Sequence, residues 1–233
     1  MIRLEACSFS YGDQSIFKNV NLSLQAGKYF VIGQNGLGKT TFLHILGGWK
    51  KVSGISGDIG SVSFLPTQYQ VNPHLKIIDL VEIYGLDWKI FSASKIFISF
   101  KLSHFAMNAV ISELSSGELQ RLLLSLVLSQ KNDTLILDEP FNHLDWWAKK
   151  QLINHLKNTN YKYMLITTHD FQIPLQFEDA NFLLIDKKSI HDLGLCREAL
   201  ISEKFQNSFH FQTQIIDNPI DRSSILAIAE KHE

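Results

Sequence analysis

The chain has 233 residues, 45% hydrophobic and 19% charged, with a formal net charge of −1. This is the mixture of a globular protein of one large domain or two small ones; it excludes a disordered or fibrous chain and lacks the basic footprint of a nucleic-acid binder. Its two cysteines, Cys7 and Cys196, are too few for a disulfide scaffold and indicate a reducing, cytoplasmic setting. The opening Met1-Ile2-Arg3-Leu4-Glu5 has no secretory apolar region, and no apolar run reaches the ~18 residues of a membrane span. The greasiest stretches, residues 96–105 and 119–128, are interrupted by Lys101, His104 and Ser125. A protein of this kind acting at a membrane needs a partner to cross it. No internal repeat is present.

Residues 2–32 read as short strands, with turns at Tyr11-Gly12-Asp13 and Ala26-Gly27. The β-prone run Tyr29-Phe30-Val31-Ile32 leads into a glycine-rich loop. Beyond Lys39, the apolar Leu43 and Leu46 and the Gly47-Gly48 stop describe a short helix. Residues 62–65 form a strand ended by Pro66, and residues 77–111 read as a Phe-rich helical insertion. Leu119, Leu122, Leu123 and Leu126 recur at i, i+3, i+4, i+7, one buried helical face. Leu135-Ile136-Leu137 and Met164-Leu165-Ile166 have the apolar character of buried parallel strands, with a helix around residues 149–156 between them. From Asn181 onward the pattern predicts one more strand and a tail.

Gly33-Gln34-Asn35-Gly36-Leu37-Gly38-Lys39-Thr40 matches the phosphate-loop pattern G-x-x-x-x-G-K-[ST] in full, between a strand and a helix as the pattern requires. Gly33, Gly36 and Gly38 permit close backbone approach to phosphate, together with Asn35 and Thr41. Lys39 supplies charge to the β and γ phosphates, and the Thr40 hydroxyl suits Mg²⁺. Asp138 and Glu139 end a buried strand, where ligands gather in open α/β sheets. Asp138 is suited to hold Mg²⁺ and Glu139 to polarise an attacking water. Ser115-Ser116-Gly117-Glu118 fits a capping box, with Ser115 at the N-cap and Glu118 three residues on; a helix N-terminus of this kind is also an anion site.

In this order, phosphate loop, Gln68 after a strand, Leu114-Ser115-Ser116-Gly117-Glu118-Leu119-Gln120-Arg121 and then the acidic strand end, the chain resembles ATP-binding cassette (ABC) ATPases over most of residues 1–190. The resemblance implies an α/β P-loop fold with a mainly parallel core sheet, an antiparallel N-terminal β-subdomain and an inserted helical subdomain. It implies one ABC domain over 1–233, with the helical subdomain at about 72–130 and a tail from about 192. Carried over by motif, Tyr11 stacks on adenine, Gln68 contacts Mg²⁺ and water, and His169 of Thr167-Thr168-His169-Asp170 contacts the γ-phosphate. Ser115, Gly117 and Glu118 touch the ATP of a second subunit, and Asp145 of Asn142-His143-Leu144-Asp145 lies at the subunit interface. Ser116 departs from the family pattern, which has glycine there, and this narrows the backbone's approach to the opposite nucleotide.

The implied function is ATP binding and hydrolysis that energises a membrane transporter. The implied partners are a second, identical cassette, an integral membrane permease and, through it, an extracytoplasmic binding protein, with no nucleic acid and with the chain peripheral on the cytoplasmic face. The short span from Lys39 to Gln68, the Asn142–Asp145 loop and a tail running through Arg197-Glu198-Ala199-Leu200-Ile201 to Asp217-Asn218-Pro219 resemble importers of iron chelates, haem, cobalamin, zinc or manganese. The alternative is a soluble ABC ATPase without a permease, as in iron–sulfur assembly. No Asn-Lys-x-Asp element of a guanine-nucleotide switch follows the phosphate loop.

Overall fold

The structure, a computed structural model, describes residues 1–218 and 223–230. Strands β1 (Ile2–Tyr11) and β2 (Gln14–Leu24) pair antiparallel across a turn in which Gly12 adopts φ 54°. They are longer than the short strands expected. Bulges near Cys7 and Phe9 interrupt their register, so the apolar alternation breaks along each strand although the pairing continues. The two-residue β4 (Ile55–Ser56) extends this sheet on the β1 side.

A six-stranded sheet forms the centre, in the order β5-β6-β7-β3-β8-β9, where β5 is Val62–Leu65, β6 Thr134–Leu137, β7 Tyr163–Thr167, β3 Gly27–Ile32, β8 Ala180–Asp186 and β9 Ser189–Leu195. All neighbours are parallel except β8 and β9. Its inner strands are buried on both faces, which is why they read as continuous apolar runs. Side chains alternate between two cores: Phe30 and Ile32 enter one, Tyr29 and Val31 the other. The second core also holds the antiparallel sheet and α1 (Lys39–Leu46), through Phe17, Phe42 and Leu43.

On the opposite face pack α5 (Ser116–Ser129) and α6 (Trp146–Lys157), through Leu122, Leu123, Leu126 and Leu152. The predicted Phe-rich insertion contains three short helices, α2 (Ile77–Ile83), α3 (Trp88–Ser92) and α4 (Lys95–Ser99), followed by a 3₁₀ turn at Ile111–Glu113. Phe91, Phe97 and Phe100 are buried there, with the Phe91 and Phe97 rings 5.0 Å apart, edge to face.

The C-terminal region holds more structure than one strand and a tail. After β8 the chain reverses at Lys187 and Lys188, both at positive φ, into β9, and α7 (Cys196–Ala199), α8 (Glu203–Phe209) and the hairpin β10 (Phe211–Asp217) and β11 (Ser224–Glu230) follow. A Lys-Lys turn carries none of the glycine or asparagine signals by which a hairpin is read, so β9 was hidden. Phe171, Phe205, Phe209 and Phe211 cluster with neighbouring ring centroids 5.0 to 5.9 Å apart, pinning α8 and β10 beside the loop that follows β7. Pro219 of the expected Asp217-Asn218-Pro219 ending lies outside the described residues. No described helix is long and apolar enough to cross a membrane.

Candidate nucleotide-binding site

Three adjacent parallel strands, β3, β6 and β7, end at one edge of the sheet. Their following loops, together with Tyr11 of β1, Ile16 of β2 and Thr67 after β5, surround a cleft of about 350 Å³ lined also by Asn35, Gly36, Gly38, Lys39, Thr40, Thr41, Asp138, Glu139 and His169. Gly36 and Gly38 take φ of 79° and 101°. At Gly38 the demand is also steric, since a Cβ there would lie 2.5 Å from Ile16 Cγ2 and 3.0 Å from the Phe17 ring. Gly38 is the N-cap of α1 and offers no side-chain cap, so the first-turn N–H groups face the cleft available to an anion.

Lys39 is buried and folds back on its own loop, donating to the Gly33 carbonyl at 2.8 Å and the Gln34 carbonyl at 3.4 Å. Burial pushes its pKa down, opposed by Glu139 and Asp138. An arriving phosphate offers the ammonium better acceptors than two carbonyls. Gln34 in turn donates from Nε2 to the Ser208 carbonyl at 2.8 Å, fastening the loop to α8.

Across the cleft the Thr40 hydroxyl donates to Asp138 Oδ2 at 2.5 Å, and the Thr167 hydroxyl donates to Asp138 Oδ1 at 2.5 Å. The Glu139 N–H donates to the same Thr167 oxygen at 2.7 Å. Glu139 has φ 54°, a left-handed conformation uncommon for a side-chain-bearing residue. Its Oε1 is buried without a hydrogen bond, although His169 Nε2 lies 2.9 Å away in a poor orientation. Burial raises the Glu139 pKa to about 7, against the lowering by Lys39. Burial and Lys39 together lower that of His169.

Tyr11 is half exposed at the rim. Its hydroxyl lies 3.4 Å from Thr41 Oγ1, its ring meets Phe9 edge-on at 4.9 Å, and Lys50 Nζ stands 5.2 Å from its centroid. Gln68, in contrast, is exposed on the loop after β5 and does not line the cleft; its neighbour Thr67 does. Ser115, Gly117, Glu118 and Asp145 also stand outside the cleft of their own chain. Ser115 caps α5 as the sequence pattern requires. Its Oγ accepts from the Glu118 N–H at 3.3 Å while Glu118 Oε2 accepts from the Ser115 N–H at 2.9 Å and from its hydroxyl at 2.6 Å. These bonds to Ser115 hold the Glu118 carboxyl below its ordinary pKa. Asp145 caps α6 by accepting from the Ala148 N–H at 2.7 Å, and its other oxygen lies 3.7 Å from Arg121 Nη1. Gly117 joins the two segments, because a Cβ there would sit 3.2 Å from the His143 carbonyl.

The sequence pattern offers Thr167 only as part of the histidine motif and gives no signal for Thr67 or Ile16 as site residues. A hydroxyl closing the otherwise apolar Tyr163–Thr167 strand was the one available signal for Thr167.

A parallel sheet carrying a complete phosphate loop opposite an Asp-Glu pair defines a P-loop ATPase. The ABC transporter family model matches residues 17–142. The zinc import ATP-binding protein ZnuC of Ehrlichia ruminantium is 31% identical over 221 residues, covering 90% of this chain and 89% of that one. A chain of an inward-facing ABC transporter, described as of the metal-chelate type, superposes with a TM-score of 0.79 at 21% identity, over 100% of this chain and 98% of the other. An ATP-binding cassette solved as a dimer in a post-hydrolysis state with ADP and phosphate superposes at 0.69 and 20% identity, over 84% and 99%. The chain belongs to the ABC transporter family, and is an ATP-binding, ATP-hydrolysing subunit of it. The expected α/β architecture, with its parallel core sheet, antiparallel sheet and helical insertion, is the one observed.

Proposed function

We propose that this chain is the motor subunit of a bacterial importer of a metal ion or metal chelate, working as a homodimer beneath an integral membrane permease. The observation that carries this reading is the division of the phosphate-contacting elements. Lys39, Thr40, Asp138 and Glu139 gather in one cleft, while Ser115 and Gly117, at a second helix N-terminus, stand outside it. A second copy placed head to tail brings its Ser115 and Gly117 to the ATP held by Lys39. The zinc-importer relative and the metal-chelate transporter likeness support the cargo class, and the dimeric cassette supports the pairing. An extracytoplasmic binding protein would deliver cargo to the permease, and the chain itself would sit peripherally on the cytoplasmic face. We assign the helical subdomain to about 72–130 and the tail to about 192–233.

Within the cleft, Tyr11 packs on the adenine, while the loop N–H groups and Lys39 hold the phosphates. The donor set beside Lys39, the Thr40 hydroxyl and the Asp138 carboxylate, is all hard oxygen and fits Mg²⁺. Bound there, Mg²⁺ would neutralise charge on the β and γ phosphates. Gln68, exposed beside the cleft-lining Thr67, joins them as its loop moves inward. Glu139 orients the attacking water and His169 faces the γ-phosphate. The raised pKa of Glu139 reflects the desolvation of its carboxyl by burial in the cleft; in its ionised form the carboxylate accepts a hydrogen bond from the attacking water. ATP drives closure only by binding the closed dimer more tightly than the open one.

The test is purification from its own host membranes, followed by transport assays in the reconstituted complex. Co-purification with a multispanning membrane protein and ATP-dependent metal uptake are expected. ATPase activity found only with soluble partners refutes the importer reading.

A further inference from the structure

We infer that Thr167 is a positioning residue that sets both acidic groups of the cleft from the end of β7. This rests on the proposed roles of Asp138 toward the metal and Glu139 toward water. Thr167 is fully buried at the end of a strand whose other four residues are apolar, and valine there would remove the hydroxyl while keeping the branched shape. Its hydroxyl makes two bonds whose directions are forced. An amide N–H can only donate, so the oxygen accepts from Glu139 N at 2.7 Å; the Asp138 carboxylate accepts the hydroxyl proton on Oδ1 at 2.5 Å.

Asp138 is thereby held between two threonines on different elements, Thr40 of α1 on Oδ2 and Thr167 of β7 on Oδ1. The Oδ1 bond fixes the rotation of the carboxylate, and so aims Oδ2 at Thr40 and the phosphate loop. The N–H bond acts on the next residue. Glu139 keeps its left-handed φ of 54°, and with it the direction of its side chain toward His169, while its N–H is anchored to Thr167. Without the hydroxyl, Asp138 Oδ1 and the Glu139 N–H lose their shared partner together. The two acidic residues are then free to turn independently.

Four proteins test this: wild type, Thr167→Val, Thr167→Ser and Glu139→Gln. Steady-state ATP hydrolysis is measured, together with Mn²⁺ affinity in the presence of ATP by electron paramagnetic resonance. Loss of a group that orients a metal ligand typically lowers activity or metal affinity by about 10–100-fold. Thr167→Val is therefore expected to lower kcat and weaken Mn²⁺ binding by at least about tenfold, with KM for ATP changed by no more than about twofold. Thr167→Ser, which keeps the hydroxyl, should restore both to within about threefold. If Thr167→Val does not fold, Thr167→Ala replaces it with the same expectations. Wild-type kcat and Mn²⁺ affinity in the Val or Ala variant overturn the inference, as does a Ser variant no better than Val. These outcomes leave the proposed site standing if Glu139→Gln is inactive. Wild-type turnover in Glu139→Gln instead removes Glu139 as the base, and the Mn²⁺ measurement then decides the role of Thr167.

Discussion

Glu139→Gln should make the nucleotide-free protein more stable, and only above a definable pH. The Glu139 carboxyl titrates near 7 in the folded chain against an ordinary value of 4.5, chiefly because it is buried. Below pH 4.5 both folded and unfolded forms are protonated, and no titration difference separates the variant from wild type. Between 4.5 and 7 the unfolded chain releases the proton while the folded chain retains it, so wild-type stability falls as pH rises. Above about 7 the penalty is complete. At 1.36 kcal/mol per unit the shift bounds it near 3 kcal/mol. Hydration through the open cleft reduces this to about 1–2 kcal/mol, or roughly 2–8 °C in Tm for a chain of this size. The assay is urea and thermal unfolding from pH 5 to 8.5 with EDTA and no nucleotide. Because His169 stands 2.9 Å from Glu139 and is itself titratable, with its pKa lowered by burial and by Lys39, the comparison is repeated in a His169→Ala background. A stability gain that opens with rising pH and levels off above 7 is expected. A gain independent of pH, or one that closes as pH rises, refutes the buried-carboxylate argument. The same variant should bind ATP and hydrolyse little of it.

Gly38→Ala should destabilise the fold by about 2–3 kcal/mol in urea unfolding, since it adds a Cβ 2.5 Å from Ile16 Cγ2 at φ 101°, and nucleotide binding should be lost with it. Tyr11→Ala should weaken ATP binding by about 1–3 kcal/mol in a calorimetric titration while leaving Tm nearly unchanged, because the ring is half exposed. Gly117→Asp places a Cβ 3.2 Å from the His143 carbonyl and a charge at the start of α5. It should spare ATP binding at Lys39 yet abolish dimer closure in light scattering and reduce hydrolysis at least tenfold, near 1.4 kcal/mol in barrier.

The linear motifs were legible because each places its chemistry within a few residues of one strand end. The phosphate loop from Gly33 to Thr40 has its own strand and helix, and Asp138-Glu139 follows the apolar Thr134–Leu137 strand directly. The capping box at Ser115 and Glu118 is local in the same sense, and its bonds formed as the spacing required. The C-terminal strands were not legible. Lys187 and Lys188 make a turn without turn residues, and β10 alternates polar and half-buried positions that pattern alone assigns to a tail.

The sequence by itself determined the class of chemistry, since backbone donors, a lysine, a hydroxyl and two carboxylates at those spacings suit little but a nucleoside triphosphate with its cation. It also determined the inner strands of the central sheet, which are apolar on both faces. Tertiary structure alone decided which hydroxyls serve the carboxylates. Thr40 and Thr167 reach Asp138 from residues 98 and 29 positions away because α1 and β7 converge on the end of β6. It alone put Thr67, and not Gln68, on the cleft wall, and raised Glu139 to about 7 by burial. Orientation and desolvation depend on which surfaces pack together, and that information is spread over the whole chain.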